Sequence, residues 1–496
     1  MEQPKGREAQ IINERKKKIK ELKGDNINPY PAKFVLHKDR TLSEDIKKEF
    51  SNLKNEERSK KEKVLAGRIM TKRSFGKLNF ISLQDSAGTI QVVIQKEETP
   101  EDAIKLFKKM DSGDIIGVKG KVMKTKTGEV SLLAQELFIL TKAILPLPDK
   151  HAGLQDKEER YRKRNLDLIM NPEVKEVFNK RSKAISAIRN FLTKKGYLEV
   201  ETPVLQPIYG GTSAKPFESN LNALDMKVYM RISNEMYLKR LIGGGYEKIF
   251  EFSRDFRNEG IDATHNPEFT LMETMCAYVS YEENMDLVEE MLEFTAKEVT
   301  GSTKVKYGDE VLNFKRPWKR IRLVDSLKEY AKLDVEKMSD AELKKELKKN
   351  KIEIPIFKRG IAIEELFGEL VEPKLIQPTI VYDYPFETCG LAKPKEDNPK
   401  YTERFEPYVN GWELGNVYSE LNDPQVLEEY WKGQEKDLSL DEESQRLDED
   451  FLNMLKVGMP PTSGVGIGID RLIMILTNQP SIRDVLFFPF MKPEGN

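Results

Sequence analysis

Arg257 stands at the entrance of a polar loop between two strand-like runs, KIFEFSRDF and EFTLMETMCAY. A guanidinium at that place can grip a carboxylate and a phosphate at once, because its planar fork donates parallel hydrogen bonds to either group. The two runs predict a long β-hairpin. Alternation along its second strand places Phe269, Glu273 and Met275 on one face. The alternative interpretation is a surface hairpin that carries only salt bridges.

A glycine-rich strand supplies a second pattern. Gly464, Gly466 and Gly468 recur at every second residue of PPTSGVGIGIDRLIMILTN, so one face of this strand carries no side chains. A flat ligand can lie on such a face. The strand runs directly into an apolar helix, and Arg471 at the junction can reach a phosphate near the start of that helix. The alternative is a strand whose glycines serve packing alone.

A series of glutamates supplies the third pattern. The segment RFEPYVNGWELGNVYSELND holds Glu406, Glu413 and Glu420, and alternation puts Asn416, Tyr418 and Glu420 on one face. Several carboxylates around one site can bind magnesium or a cationic substrate. Glu413 is out of phase with the Asn416 face, so a bulge is needed to unite them. Spacing alone leaves that point open.

The elements that must position these residues follow a mixed α/β pattern. The spacing predicts a helix from Val174 to Lys195, for which Gly196 is a suitable C-terminal cap. Strands and helices then alternate to the C-terminus, and we expect one domain over 171–496. Residues 301–374 are rich in Lys and Glu and predict a helical insertion in the strand series. The prolines of ILPLPDK predict a linker, over 146–170.

The preceding part of the chain has a different pattern. Between 64 and 145, five short β-rich runs separated by turn residues predict a small barrel of the OB type. Alternation in its second and third strands leaves Phe80 and Gln91 facing outward. An outward ring beside an amide suits recognition of single-stranded bases; alternatively, Phe80 covers a core under a loop. Residues 1–63 predict a charged helical extension, either solvated or in contact with phosphates.

Composition limits the class of protein. A chain of 496 residues is longer than a single hydrophobic core usually organises, so we expect more than one domain. Because 33% of the residues are charged but the net charge is only -1, any contact with nucleic acid must come from local basic patches. Cys276 and Cys389 cannot build a disulfide framework, and neither lies in a zinc-binding pattern. No apolar run approaches the roughly 18 residues of a membrane span, and the N-terminus lacks an apolar signal core. We therefore expect a cytoplasmic protein with no membrane partner.

Together these segments resemble the class II aminoacyl-tRNA synthetases, whose three motifs follow one another along the chain in the expected order. The helix from Val174 with the following YLEVETP corresponds to the first motif, which forms the homodimer interface in that family. FRNEG and HNPEFT correspond to the second motif, and GIGIDR to the third. An N-terminal OB domain is typical of the aspartate, asparagine and lysine subgroup. The segments that resemble the lysyl enzymes are GGTSAKPF, NALD, RISNEMYLKRLIGGGYEKIFE, ELGNVYSELND and IRDVLFFPFMKP.

The resemblance implies an α+β fold, an OB-type barrel followed by an antiparallel-sheet catalytic domain. It implies a homodimeric lysine–tRNA ligase that uses ATP and Mg²⁺ to form lysyl-adenylate, and then transfers lysine to the 3′-terminal adenosine of lysine tRNA. Arg257 would hold the substrate carboxylate and the α-phosphate, and Arg471 the γ-phosphate; these two are the implied catalytic residues. Glu235 and Gly211 would take the lysine α-amine, and Glu420 the ε-amine.

The full set of residues implied by the resemblance falls into four groups. The ATP-binding residues are Arg257, Glu259, His265, Phe269, Glu413 and Arg471. The lysine-binding residues are Gly211, Glu235, Arg257, Glu273, Met275, Asn416, Tyr418 and Glu420. The metal ligands are Glu406 and Glu413. The anticodon-binding residues are Phe80, Gln91 and Glu136.

The chain departs from the lysyl enzymes at two places in the expected lysine pocket. Those enzymes usually have a tyrosine where this chain has Met275, and Ser-Pro where it has Cys389-Gly390. Losing one hydrogen bond to a charged amine costs on the order of 1.5 to 3 kcal/mol. Either a water replaces the hydroxyl, or the selection of lysine is relaxed.

Two rival functions stay open at this point. One is a paralogue that activates lysine or an analogue for transfer to a protein. The other is a non-catalytic RNA-binding protein on the same fold. The predicted barrel weighs against the first rival, because protein modification has no use for anticodon recognition. The retained ATP-site residues weigh against the second, because a pure binder has no use for them.

Overall fold

The computed structural model describes residues 6–148, 154–212, 214–437 and 448–494. The chain divides into two compact units, Met1–Leu154 and Gln155–Asn496. Two helices, α4 (Lys157–Arg162) and α5 (Arg164–Met170), open the second unit. They correct the predicted linker over 146–170, because Arg164 is buried and donates to the carboxylate of Asp167 at 2.6 Å and to the Phe487 carbonyl at 2.9 Å. The distant partner Phe487 leaves no mark in the local sequence.

The first unit contains the predicted five-stranded barrel. Its strands are β1 (Arg58–Phe75), β2 (Leu78–Gln84), β3 (Thr89–Gln95), β4 (Ile115–Lys124) and β5 (Val130–Thr141). They close in the order β1-β2-β3-β5-β4, and only β3 and β5 pair in parallel. Three helices accompany them, α1 (Arg7–Gly24), α2 (Ser43–Glu49) and α3 (Glu101–Lys109). The N-terminal extension thus contains the two helices α1 and α2, but its last residues already belong to β1.

Alternation along the strands explains the barrel interior. Ile81, Ile90 and Val92 are at most 2% exposed, because every second side chain of a strand points the same way. The intervening Phe80 and Gln91 lie on the outer surface and are half-buried. The predicted inward and outward faces of β2 and β3 are therefore confirmed.

The second unit is built on a nine-stranded sheet. The strands of this unit are β6 (Leu198–Glu199), β7 (Leu205–Gln206), β8 (Glu218–Leu221), β9 (Met226–Met230), β10 (Lys248–Phe256), β11 (Glu268–Ala277), β12 (Lys304–Tyr307), β13 (Glu310–Asn313), β14 (Lys319–Arg322), β15 (Thr379–Tyr382), β16 (Arg404–Val409), β17 (Trp412–Glu413), β18 (Gly415–Ser419) and β19 (Thr462–Gly468). The main sheet has the order β14-β15-β16-β18-β19-β11-β10-β6, with β17 beside β16. Its pairs are antiparallel except β14–β15 and β10–β6.

Helices cover this sheet and connect its strands. The remaining helices are α6 (Glu173–Lys194), α7 (Glu235–Gly243), α8 (Tyr281–Thr300), α9 (Leu323–Ser326), α10 (Asp340–Lys349), α11 (Arg359–Leu370), α12 (Pro424–Asp437), α13 (Glu449–Val457), α14 (Ile469–Leu476) and α15 (Ile482–Val485). Apolar faces of α6, α8 and α14 pack with strand residues in the largest buried cluster. The predicted cap follows α6, since Gly196 has a φ of +85°, a backbone conformation that glycine adopts without strain.

The segment 301–374 is less helical than its composition predicts. It contains α9, α10 and α11, but also the hairpin β12–β13 and the edge strand β14 of the main sheet. The prediction of a helical insertion is corrected here, because Leu312 and Ile321 lie on strands and are buried against distant parts of the unit. Among the described helices, none is both long enough and apolar enough to cross a membrane.

Candidate active site

The strands β11, β18 and β19 form the floor of a cavity of about 480 Å³ in the second unit, and the loop between β10 and β11 lines one of its walls. In the β11–β19 pairing, Glu273 lies opposite Gly466, and Met275 opposite Gly464. In the β18–β19 pairing, Asn416 and Tyr418 lie opposite the same two glycines. The second-unit residues expected to bind ligands all line this cavity: Gly211, Glu235, Arg257, Glu259, His265, Phe269, Glu273, Met275, Glu406, Glu413, Asn416, Tyr418, Glu420 and Arg471.

The glycines of β19 keep the middle of the floor open. A Cβ atom on Gly468 would have as its nearest neighbour the Leu414 carbonyl oxygen at 3.6 Å, whereas one on Gly464 would meet the Glu420 carboxylate at 2.6 Å. The lack of a side chain therefore has a different effect at each glycine. At Gly464 it lets the side chains of Glu420 and Met275 approach the strand, and at Gly468 it leaves room for a ligand.

Arg257 directly follows β10 and is held over an aromatic ring. Its backbone N–H donates to the Pro267 carbonyl at 2.9 Å, which closes the base of the loop. Its guanidinium carbon lies 5.0 Å from the centroid of the Phe269 ring, within the range of a cation–π interaction. This contact fixes the fork at the cavity wall, ready for a carboxylate or phosphate.

Arg471 lies at the start of α14 and is held by a chain of polar contacts. Its Nη1 donates to the Glu413 carbonyl oxygen at 2.9 Å, and its Nη2 lies 3.2 Å from Nε2 of His265. Nδ1 of that histidine lies 2.8 Å from an Asp262 carboxylate oxygen. Both contacts are hydrogen bonds if the ring is neutral and protonated at Nδ1, so that Nε2 accepts from the guanidinium.

Asp262 anchors the loop from which His265 projects. Burial opposes ionisation of this carboxyl, but hydrogen bonds from the Thr264 backbone N–H and from His265 outweigh it and lower the pKa to about 2. The carboxylate is therefore ionised at all physiological pH values. It can orient the histidine ring and, through it, Arg471.

An acidic end lies across the glycine floor from these two arginines. Gly211 has a φ of +93° and packs against Ser233 and Glu235, where a Cβ would stand 2.9 Å from the serine hydroxyl. Glu235 begins α7, and Glu420 directly follows β18 with only 1% of its surface exposed. The two carboxylates contact one buried cation, Lys239, whose Nζ lies 2.5 Å from an oxygen of each. Sequence reasoning missed Lys239, because no local pattern marks it.

Crowding of carboxyl groups at this end raises their pKa values. Burial, followed by the charges of Glu235 and other nearby acids, raises the pKa of Glu273 well above its usual range. Burial also raises the pKa of Glu420 to about 8, although Lys239 opposes the rise. Oε2 of Glu273 and both carboxylate oxygens of Glu420 have no hydrogen-bond partner among the described residues, although Oε2 of Glu420 forms the ion pair with Lys239. A cationic group placed between these carboxyls would therefore be strongly favoured.

Glu406 and Glu413 lie at the other end of the cavity. Glu406 accepts hydrogen bonds from Arg404 at 2.5 Å, from the Tyr384 hydroxyl at 2.8 Å and from the Tyr408 hydroxyl at 2.5 Å. Burial and the charge of Glu406 raise the pKa of Glu413. Leu414 separates the short strands β17 and β18, and both Glu413 and Asn416 line the cavity. This interruption between the strands takes the place of the bulge that the sequence spacing of Glu413 and Asn416 required.

The carboxylates of Glu406 and Glu413 are suitable ligands for a magnesium ion that also binds phosphate oxygens. Two mutually repelling carboxylates gain from a divalent cation between them, and Mg²⁺ commonly uses one or two carboxylates with substrate phosphates. Within the described ranges, no group of three His, Cys, Asp or Glu residues is arranged to hold a metal. Phosphate oxygens of a nucleotide would therefore have to complete the coordination.

The departures at Met275 and Cys389-Gly390 lie in the wall of the same cavity. Met275 is 2% exposed and Cys389 is half-buried. At Gly390, a Cβ would stand 2.0 Å from ring atoms of Tyr430, so only glycine admits this ring. Tyr430 lies on α12 and was not anticipated from the sequence, because it is close to the pocket only in the folded chain.

The expected base-reading residues of the barrel all lie on its outer surface. The Phe80 ring packs edge-on against Phe75 with 6.2 Å between centroids. Gln91 donates to the Ser131 hydroxyl at 3.0 Å, and the exposed Glu136 accepts from Lys119 at 3.1 Å. Each side chain is thus oriented by a neighbour, and their contact with bases stays a prediction.

Comparison with known proteins agrees with this architecture. Residues 156–492 match the model of the tRNA synthetases class II (D, K and N), and residues 63–140 match that of the OB-fold nucleic acid binding domain. The chain is 47% identical over 494 residues to a lysine–tRNA ligase of Clostridium tetani, which covers 98% of this chain and 97% of the relative. Lysine–tRNA ligases of Thermoanaerobacter sp. and Pelotomaculum thermopropionicum are 47% and 46% identical, each over 98% of this chain and over 97% and 95% of their own.

Proposed function

Because the chain belongs to the class II tRNA synthetases for aspartate, lysine and asparagine, and is an ATP-dependent lysine–tRNA ligase, we propose that the cavity over β19 is its site of lysine activation. The carboxylate of lysine attacks the α-phosphorus of ATP, pyrophosphate leaves, and the resulting lysyl-adenylate gives lysine to the terminal adenosine of lysine tRNA. One observation carries the assignment. A single cavity joins an arginine end, suited to phosphates, to an acidic end, suited to the two amines of lysine.

ATP occupies the arginine end in this proposal. Phe269 stacks on adenine, Arg257 holds the α-phosphate and the lysine carboxylate, and Arg471 meets the γ-phosphate. Glu259 and His265 complete the nucleotide contacts. The anchoring of Arg471 by Glu413 and His265 supports its role, because a preformed donor needs no reorganisation as charge moves onto pyrophosphate.

Lysine occupies the acidic end. Gly211 and Glu235 take its α-amine, while Glu420 takes its ε-amine beside Asn416 and Tyr418. The free Oε1 of Glu420 and the free Oε2 of Glu273 support this placement, since a buried ammonium needs carboxylate partners. Met275 contributes a thioether where a hydroxyl would have added one more contact.

Glu406 and Glu413 would hold Mg²⁺ with the ATP phosphates. The metal, when bound, neutralises phosphate charge and aligns pyrophosphate as the leaving group. The side chains do little acid–base chemistry in this reaction, because the lysine carboxylate is already ionised. Arg257 and Arg471 act instead by positioning the reacting groups and by stabilising the charge that develops on the phosphates.

The barrel unit is proposed to read the anticodon. Phe80 stacks on a base, while Gln91 and Glu136 hydrogen-bond to base edges. The outward position of all three residues supports this proposal, as does the OB-fold match over 63–140.

We also propose a cytoplasmic homodimer. The free thiols of Cys276 and Cys389 suit a reducing compartment. Strand β6 forms an edge of the main sheet, and Leu198 on it and Leu205 shortly after it are 51% and 52% exposed. An open edge with exposed apolar side chains is a surface that a second copy can cover. Sedimentation equilibrium measures the oligomeric state directly, and a monomer at micromolar concentration would contradict the dimer.

The test of the whole assignment is ATP–pyrophosphate exchange with each amino acid, with ornithine and other lysine analogues, followed by acylation of total tRNA. Exchange with lysine and charging of lysine tRNA are expected. Preference for an analogue would mean that Met275 and Cys389-Gly390 have retuned the pocket. Exchange without acylation of tRNA would favour transfer to a protein, and no exchange with any amino acid would favour a binding protein.

A further inference from the structure

Lys239 is a buried cation directly behind the wall of the activation cavity. It lies on α7 with 1% of its surface exposed, and it does not itself line the cavity. Its Nζ lies 2.5 Å from Oε1 of Glu235 and 2.5 Å from Oε2 of Glu420. The rings of Tyr418 and Phe451 stand 5.5 Å and 6.0 Å from the same nitrogen.

This ammonium joins two elements that are far apart in the chain. Glu235 lies one turn earlier on the same helix, whereas Glu420 follows β18. Burying an ammonium is costly unless carboxylates compensate for the lost water, so Lys239 constrains both carboxylates strongly. An ion pair within α7 alone would need Glu235 but not Glu420. The second contact therefore connects α7 to the end of β18.

The contact leaves one oxygen of Glu420 directed at the ligand. Oε2 faces Lys239, while Oε1 lies 2.6 Å from the point where a Cβ of Gly464 would stand, above the cavity floor. By hydrogen-bond geometry neither oxygen has a partner within the described part of the chain, so the ion pair of 2.5 Å with Lys239 is what distinguishes Oε2 from Oε1. One face of the carboxylate is thus occupied by a cation of the protein, and the other is open to a cation of the substrate.

We propose that Lys239 is a positioning residue for the selection of lysine: it holds Glu235 and Glu420 so that each presents one oxygen to one amine of the substrate. The inference rests on the proposed roles of these two glutamates in lysine binding. Lys239 touches neither lysine nor ATP and acts only through the carboxylates.

The charge of Lys239 should also favour the ionised form of Glu420 over the protonated form. The charged or titratable groups that face Glu420 are Lys239 and Glu235 from α7, Glu273 from β11 and Tyr418 from β18. Lys239 is the cation of this set, and it lowers the pKa of Glu420 against the effect of burial. Without it, Glu420 would keep its proton to higher pH, and lysine would bind well only in alkaline solution.

The test compares Lys239→Met with Arg240→Met in ATP–pyrophosphate exchange. Arg240 is the next residue of α7 and pairs with Asp448 at 2.6 Å, away from the lining of the cavity. We expect K239M to raise the KM for lysine about tenfold or more, with the KM for ATP changed by less than about twofold. In the unchanged protein the lysine KM should fall as the pH rises through about 8, the pKa of Glu420, and in K239M the same fall should be displaced to higher pH. Arg240→Met should leave both KM values and the pH profile as they are.

A purely structural role for Lys239 would lower kcat and thermal stability and leave the lysine KM and its pH profile unchanged, which would overturn the inference. If K239M does not fold, the double variant K239M/E420Q removes the cation together with one carboxylate. Its lysine KM should exceed that of E420Q alone by less than about tenfold, because Lys239 then has only Glu235 left to position at the α-amine; a further rise of about tenfold or more would overturn action through Glu420. Failure of the unchanged protein to exchange with lysine would instead contradict the proposed function.

Discussion

The carboxylate of Glu420 and the thioether of Met275 lie side by side above the bare backbone of Gly464. A Cβ atom at that glycine would stand 2.6 Å from Oε1 of Glu420 and 2.8 Å from Sδ of Met275. Oε1 of Glu420, which we propose binds the ε-amine of lysine, therefore has the thioether of Met275 as its neighbour and not a hydroxyl group. A thioether is a weak acceptor and adds little to the binding of an ammonium.

Met275→Tyr should tighten lysine binding. A hydroxyl at this place adds one hydrogen bond to a charged amine, so we expect the lysine KM to fall by roughly tenfold. The discrimination between lysine and ornithine in pyrophosphate exchange should rise, since a shorter chain cannot reach both groups. Met275→Leu keeps an apolar side chain and serves as the control. An unchanged preference in M275Y would mean that water already replaces the hydroxyl.

Glu420→Gln should raise the lysine requirement far more than the ATP requirement. An amide cannot neutralise a buried ammonium, so we expect the lysine KM to rise about a hundredfold and the ATP KM by less than about threefold. Steady-state exchange at varied lysine and varied ATP measures both. Glu428→Gln, on the exposed part of α12, is the control. Equal effects on the two substrates would contradict the assignment of Glu420 to the ε-amine.

Alanine substitutions along β19 should separate the two substrates. In Gly464→Ala the new methyl would displace the Glu420 carboxylate, so the lysine KM should rise by about tenfold or more. In Gly468→Ala the methyl meets no protein atom closer than 3.6 Å but projects into the proposed nucleotide site, so the ATP KM should rise instead. The same exchange assay measures both. Parallel effects of the two variants would argue against the two-ended cavity.

Lysine binding should release protons near neutral pH. Burial raises the pKa of Glu420 to about 8, so at pH 7 this carboxyl mostly holds a proton that an arriving ammonium would expel, and burial raises the pKa of Glu273 in the same direction. Calorimetric titrations in phosphate and in Tris at pH 7 should therefore give different enthalpies. The contribution of Glu420 should disappear as the pH rises above about 8, where it is already ionised. Equal enthalpies in the two buffers would refute the prediction.

Phe80→Ala should weaken tRNA charging without affecting lysine activation. Stacking of a base on an aromatic ring contributes about 1 to 3 kcal/mol, so the KM for tRNA should rise roughly fivefold to more than a hundredfold. Pyrophosphate exchange should stay within about twofold, because Phe80 and the activation cavity belong to different units. Loss of exchange together with charging would show that the role of the barrel has been misassigned.

Local patterns were enough to predict several features of the site. The shared face of Phe269, Glu273 and Met275, and the bare face of β19, follow from period-two alternation, which depends only on the geometry of an extended backbone. The inward side chains of the barrel and the end of α6 at Gly196 are local in the same sense. These features could be predicted because each is encoded within a few neighbouring residues.

Other features depend on contacts between distant residues, and only the tertiary structure decided them. The bridge from Lys239 to Glu420, the support of Arg471 by His265, and the Tyr430 ring against Gly390 each join separate elements. The strands within 301–374 and the helices within 146–170 were misjudged for the same reason, since their burial is set by packing partners and not by local periodicity. The sequence by itself thus determined which side chains face a site. The packing of distant segments decided how those side chains are held and charged, because burial and ion pairing are properties of the folded chain.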